Sequence, residues 1–393
     1  MERKDMIKKY IERVSRGEEL EIVRADFRRD FAGVPADEIA DAEKLLMEEG
    51  MQLSEVQQLC DVHAALFEGA VQTGGADEPA GHPLYIFSKE NEGLTRLLDS
   101  QLAPAYAAWQ EDAQAGQQAL ADSLRALRKI DLHYSRKENL FFPYLEKAGV
   151  TAPPKVMWGV DDEIRELIKQ TLAAVEAGDI AQAAALYPRM LEQVRNMITK
   201  EEEILKPLLR KHLNEDAWRT VARESSQIGY AFAQDIEGAS PSDAAAWAQH
   251  GHAEPTPRGH ASVQLPSGYF EINELTAVLN TLPCDMTFVA ADDTVHFFSE
   301  QKNRIFPRTR TIIGRQVADC HPPKSLHAVE ALVEAFKQGR KDSESYWIQR
   351  GGKFILIRYY AVRDTDGTYL GVLECTEEIS ELRTLEGDKT LMS

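Results

Sequence analysis

Two short stretches carry side chains whose types and spacing can do chemistry unaided. Cys320-His321 are the only adjacent cysteine and histidine in the chain, and Pro322-Pro323 follow them directly. A thiolate responds to oxidants, an imidazole can ligate a metal, and two prolines hold both groups in one presentation. The plainer reading is a rigid turn into a helix N-capped by Ser325. Cys60 and His63 stand one helical turn apart, spaced either for a shared site or for core and rim. The run Lys200-Glu201-Glu202-Glu203 cannot turn every side chain inward from one helix, so part of it is a solvated face.

The elements that must position these groups fall into two kinds. Residues 1–75 read as a small helical domain, with Leu53, Val56 and Leu59 at helical spacing. Four long helical patterns then run over about 83–106, 118–147, 155–177 and 179–213, the third opened by Pro153-Pro154. Pro143, Pro188 and Pro207 mark expected kinks. Connections this short predict an antiparallel bundle over 76–237, with a further helix from Glu215 to about Glu237 beside it. Residues 238–265 are rich in Ala, Gly, Pro and Ser and lose apolar periodicity, which reads as a flexible linker. His250, His252 and His260 within it bind metal loosely at most. Beyond it, in 266–393, the period shifts toward two. A hairpin at 286–298, a helix near 325–338 and strands at 345–349, 353–362 and 369–376 predict an antiparallel sheet with helices on one face. The fold class is thus multidomain: an all-α N-terminal half and an α+β domain with a five-stranded antiparallel sheet.

Composition narrows the partners. The chain has 393 residues, enough for more than one domain, and a formal charge of −19 that repels phosphate backbones, so no nucleic acid is expected. No apolar run approaches the length of a membrane span, and the charged N-terminus MERKDMIKKY has no signal-peptide h-region. Four cysteines scattered without a C-x-x-C pair read as reduced thiols. The expected compartment is the cytoplasm.

The C-terminal order of strands, ending in Glu374-Cys375-Thr376-Glu377-Glu378-Ile379, resembles a PAS domain. Asp319 to Ser325 and Leu282 to Val289 resemble one subfamily of it. That subfamily occurs in bacterial proteins that place an uncharacterised helical domain and a hemerythrin-type (HHE) cation-binding domain first. Leu59 to Ala64, Gly81-His82-Pro83, His133 to Glu138, Val156-Met157-Trp158 with Asp161-Asp162-Glu163, and Lys200-Glu201-Glu202 fit the same architecture.

The resemblance implies non-haem iron or manganese between the four helices, held by histidines and carboxylates. Its helix pattern is a histidine, an acid four or five residues on, then aliphatics and proline. Here the second helix offers His133, Lys137, Glu138 and Pro143, and the fourth Met197, Glu201, Glu202 and Pro207. Glu90-Asn91 replace the usual acid and histidine on the first helix, and Asp161 takes the histidine place on the third. The implied ligand set is His82, Glu90, His133, Glu138, Asp161, Glu201 and Glu202, richer in carboxylate than usual. Two readings stay open: a metal centre, to which hard oxygen donors are suited, or a metal-free network in which Lys137 pairs with Asp161 or Glu201. In the PAS domain, Cys320 and His321 mark a cleft for an unknown small ligand or haem.

Two functions follow. The first is a cytoplasmic sensor that couples the bundle to the PAS domain in response to oxygen, nitric oxide, redox state or metal. With no helix-turn-helix, kinase motif or nucleotide loop in the sequence, its signal passes to an unknown protein partner or to a second copy through a PAS dimer. The alternative is a di-metal enzyme or repair factor handling iron, oxygen or nitric oxide. The sequence favours the sensor.

Overall fold

The computed structural model describes residues 6, 9–10, 12–13, 16–30, 78–233, 235–249, 262–301 and 304–387. They fall into two units, within 1–252 and 253–393. In the first, four bundle helices follow one another. The first runs through Pro83–Leu97 and Ala103–Glu111, and the second through Ala113–Leu127, Ile130–Arg136 and Phe142–Lys147. The third is Ala152–Ala177, and the fourth runs through Ile180–Lys200 and Lys206–His212. Pro153 and Pro154 sit in the third helix's first turn, where no N–H is missed, and Gly178 closes it with φ 71°. Asp179 then caps the fourth by accepting from the Gln182 amide at 3.0 Å. One continuous core links the helices, from Leu84 and Phe87 through Leu124 and Ile164 to Val194 and Leu205. Val23 and Phe27 of the helix Leu20–Asp30 belong to it too.

Proline placement sets the finer geometry. Three turns widen to π-helix, at Leu98–Leu102, Lys137–Phe141 and Glu201–Leu205. Each ends just before a residue-proline pair: Ala103-Pro104, Phe142-Pro143 and Lys206-Pro207. A helical proline lacks its N–H and crowds the carbonyl one turn back, and the preceding residue donates five positions back instead: Ala103 to Leu98, Phe142 to Lys137 and Lys206 to Glu201. Pro188 behaves differently and stays inside an unbroken helix. Two of the widened turns thus begin at Lys137 and Glu201.

The linker reading gives way over 238–249. After the helix Glu215–Ile228 the chain folds back across the bundle, and Pro241–Gln249 is a helix. Small residues let the backbone approach closely, which a composition count mistakes for flexibility. A Cβ on Gly93 would lie 1.8 Å from the Phe232 carbonyl oxygen, so only glycine fits there. The Gly81 amide donates to Gly238 at 2.8 Å, and Tyr85 donates to the Glu237 carbonyl at 2.9 Å.

The second unit carries a hairpin, β1 (Ser262–Leu265) and β2 (Gly268–Glu271), then a helix, Ile272–Thr281. Its sheet consists of β3 (Asp285–Ala290), β4 (Val295–Phe298), β5 (Ser343–Arg350), β6 (Lys353–Arg363) and β7 (Tyr369–Glu378), in the order β4-β3-β7-β6-β5 and antiparallel throughout. The helix Pro323–Lys337 lies against it, with Phe336 and Val333 packed on Val372 of β7. That helix starts two residues before Ser325, whose hydroxyl donates to the Pro322 carbonyl at 3.0 Å and does not cap it. Among the described residues no helix is long and apolar enough to cross a membrane.

Candidate functional site

The widened turns bring four helices' polar groups together in the bundle core. His133 is sandwiched between carboxylates, with Nδ1 2.8 Å from Glu90 and Nε2 3.0 Å from Glu201. Phe87 stacks on its ring at 4.3 Å. One turn on, the fully buried Lys137 donates from Nζ to Asp161 at 2.8 Å and to Glu201 at 2.5 Å. Arg165 grips Glu138 with both terminal nitrogens, at 2.8 and 3.0 Å. Arg136 donates to Glu90, whose other oxygen accepts from the Ala231 amide at 2.8 Å. Tyr134 lies under Lys137, 4.2 Å from ring centre to Nζ.

Electrostatics follow from this contact map. Burial alone would raise Glu201, but Lys137 and His133 outweigh it and hold the carboxyl down at about 2. Burial would strip the proton from Lys137 and from His133; their carboxylate neighbours reverse that and push both upward. Asp161 goes the other way, raised well above the carboxylate range by burial, and its Oδ2 makes no hydrogen bond.

The implied ligands therefore divide. Glu90, His133, Glu138, Asp161 and Glu201 meet in the core, but His82 and Glu202 do not join them. His82 caps the first bundle helix, accepting from the Leu84 amide at 3.1 Å between the rings of Trp218 and Trp247. Glu202 faces a polar groove of about 610 Å³, held by Asn91 at 3.0 Å, Ser88 at 3.0 Å and Lys206 at 2.8 Å. Every carboxylate in the core set already serves a protein cation, both ring nitrogens of His133 are taken by carboxylates, and the Lys137 ammonium stands between Asp161 and Glu201, where an ion would have to sit. Among the described residues no group of three or more His, Cys, Asp or Glu is disposed to hold a metal. As they stand, these residues do not fit the iron or manganese that the resemblance implied. Arg136 and Arg165 were missed in the sequence, although Arg136 follows His133 by three and Arg165 follows Asp161 by four, spacings that place each pair on one helix face. Cys60, His63, His250, His252 and His260 lie outside the described residues.

The second unit holds a different site. A cavity of about 120 Å³ opens between Pro323–Lys337 and the sheet, walled by Val289, Val329, Leu332, Phe336 and Val372. His321, Tyr359 and Glu374 supply its polar edge. Burial holds His321 below the usual imidazole range against the opposing pull of Glu374, which favours the neutral ring. Its neighbour parts company: Cys320 packs against Val289, Val295, Phe298 and Ile312 and does not line the cavity. Ligands of drug size take roughly 300–1,000 Å³, so a haem does not fit this space. A dry cavity of about 150 Å³ holds benzene, so this smaller one takes only a guest below that size.

Comparison with known families agrees with this architecture. Residues 7–73 match the family of unknown function DUF438, residues 82–209 the Hemerythrin HHE cation binding domain, and residues 275–380 a PAS domain. Among curated proteins no relative matches. Among solved structures, a C-terminal domain from Streptococcus mutans is 33% identical with a TM-score of 0.31, covering 32% of this chain and 98% of that one. A sensory box sensor histidine kinase from Vibrio cholerae is 16% identical with a TM-score of 0.21, covering 27% of this chain and 90% of that one. The chain thus matches three family models in order: DUF438, the Hemerythrin HHE cation binding domain, and a PAS domain.

Proposed function

We propose that this is a sensory or regulatory protein whose ligand site is the PAS cavity. The observation that carries the reading is a mainly apolar space of about 120 Å³ whose lining includes the polar groups of His321, Tyr359 and Glu374. Apolar walls with a few placed polar groups are the usual makeup of a small-molecule site. Glu374 is paired with Arg308 at 4.0 Å, so the edge favours an uncharged head and the ligand class is a small apolar molecule ending in a hydroxyl. The test is titration of the full chain with isobutanol, isobutylamine and isobutyrate, followed by calorimetry. Saturable binding of isobutanol, weaker binding of the two charged probes, and loss of all three in Val333→Phe support the reading. No saturable binding by any probe, or binding that Val333→Phe leaves intact, refutes it.

The output is assigned to a second copy of the chain. Tyr346, Trp347 and Ile348 on β5 are exposed, Trp347 to 65%, and the helix Ile272–Thr281 buries no side chain. Exposed apolar patches of this kind mark association surfaces. Sedimentation of the full chain tests it: a dimer that Trp347→Glu converts to monomer is expected, and a monomer at all concentrations contradicts it.

A further inference from the structure

The bundle centre is complete without a metal, and one side chain makes it so. Lys137 is buried to 0% exposure, and its ammonium bridges carboxylates from the third and fourth helices. Around it, His133 spans Glu90 and Glu201, Arg136 meets Glu90, and Arg165 meets Glu138. Removing the amine would leave His133 Nε2, Glu201 and Asp161 facing a space with no cation, and Asp161 Oδ2 already lacks a partner. One imidazole and two carboxylates suit a divalent first-row ion such as manganous or ferrous iron. Uncompensated, the same carboxylates would be buried charges of high cost that must take up protons or a cation, and the vacated place is open to a cation.

We infer that the Lys137 ammonium is a built-in substitute for a metal ion, and that losing this one amine turns the bundle centre into a divalent-cation site made of His133, Asp161 and Glu201. The inference stands apart from the ligand reading of the PAS cavity. It makes the natural bundle indifferent to iron and manganese and leaves its core ordered at any metal level.

The experiment uses the full chain, natural and as Lys137→Ala and Lys137→Gln, refolded and dialysed with and without manganous chloride. Metal content is read by mass spectrometry and the bound ion by electron paramagnetic resonance. The natural chain is expected to keep less than about a tenth of an ion and to melt at the same temperature with or without manganese. At least one variant is expected to retain about one ion of mixed nitrogen and oxygen ligation and to melt higher with it, as binding to the native state requires. Stoichiometric uptake by the natural chain overturns the inference, as do folded variants that take up none. Failure of both variants to fold even with manganese also counts against it, because an ion able to replace the ammonium would rescue them.

Discussion

The centre of the bundle and the centre of the PAS domain answer the same problem, a buried space among packed elements, in opposite ways. In the bundle the space is filled with charge: Lys137 and His133 engage Asp161, Glu201 and Glu90, with Arg136 and Arg165 behind them. In the PAS domain a space of about 120 Å³ is left open, lined mainly by apolar side chains with a few polar groups among them. The difference teaches where a ligand can act. A self-neutralised cluster binds nothing until one member is removed, whereas a cavity gains stability from any guest that fits. The family match alone would place the chemistry in the bundle; in the function proposed above it lies in the PAS domain.

The largest effect expected from breaking this contrast is at Glu201. Glu201→Ala strands Lys137 and one side of His133 in the core, and a broken buried pair costs about 3–5 kcal/mol. His321→Ala at the cavity edge removes no comparable partner, and its cost should stay below about 1 kcal/mol, within the range of ordinary substitutions. Chemical denaturation, with hydrogen exchange read separately over 78–233 and 285–378, measures both. Equal losses would mean that the two sites are built alike.

What could be read beforehand follows the same division. The order of domains and the strands of the sheet were legible, because periodicity and turn residues act locally. Lys137 was legible as a rival to a metal, since it falls four residues after His133. Its use of both Asp161 and Glu201 was not, because that depends on the widened turn that Pro143 imposes after it. Arg136 and Arg165 escaped because long side chains reach their partners across helices. The helix Pro241–Gln249 escaped because Ala and Ser carry no periodic signal; what fixes it is Trp247 against His82, 4.8 Å between ring centres. The cavity escaped because a pattern of apolar residues does not say which of them fail to fill the space.

A second effect is expected in pH, where His133 of the bundle acts with one sign and His321, like the buried His82, with the other. His133 is raised in the folded bundle, so its contribution is present below about pH 6.5, the unfolded value, and is lost as pH climbs through the raised one. His321 is lowered, so the unfolded chain binds the proton first and the PAS domain loses stability as pH falls below about 6.5. Each slope is at most about 1.4 kcal/mol per pH unit for one proton. Exchange protection over 78–233 should weaken from pH 7 upward, and protection over 285–378 should weaken from pH 6.5 downward, the latter abolished in His321→Phe. Equal loss of protection in both units from pH 7 upward would erase the distinction.

The smallest effect concerns the edge of the bundle. Glu202→Gln alters a group in the open groove, where Lys206 and Ser88 remain hydrated, and should cost under about 1 kcal/mol by thermal melting. A loss as large as that of Glu201→Ala would place Glu202 in the core set after all.

The contrast as a whole is tested most directly by one anomalous diffraction measurement, on crystals of the full chain grown with manganous chloride and pressurised with xenon. The account predicts a xenon peak among Val289, Leu332 and Phe336, and no manganese peak between His133, Asp161 and Glu201, with Lys137 still bridging the two carboxylates. A manganese peak there with Lys137 displaced, and no xenon in the PAS domain, would contradict it.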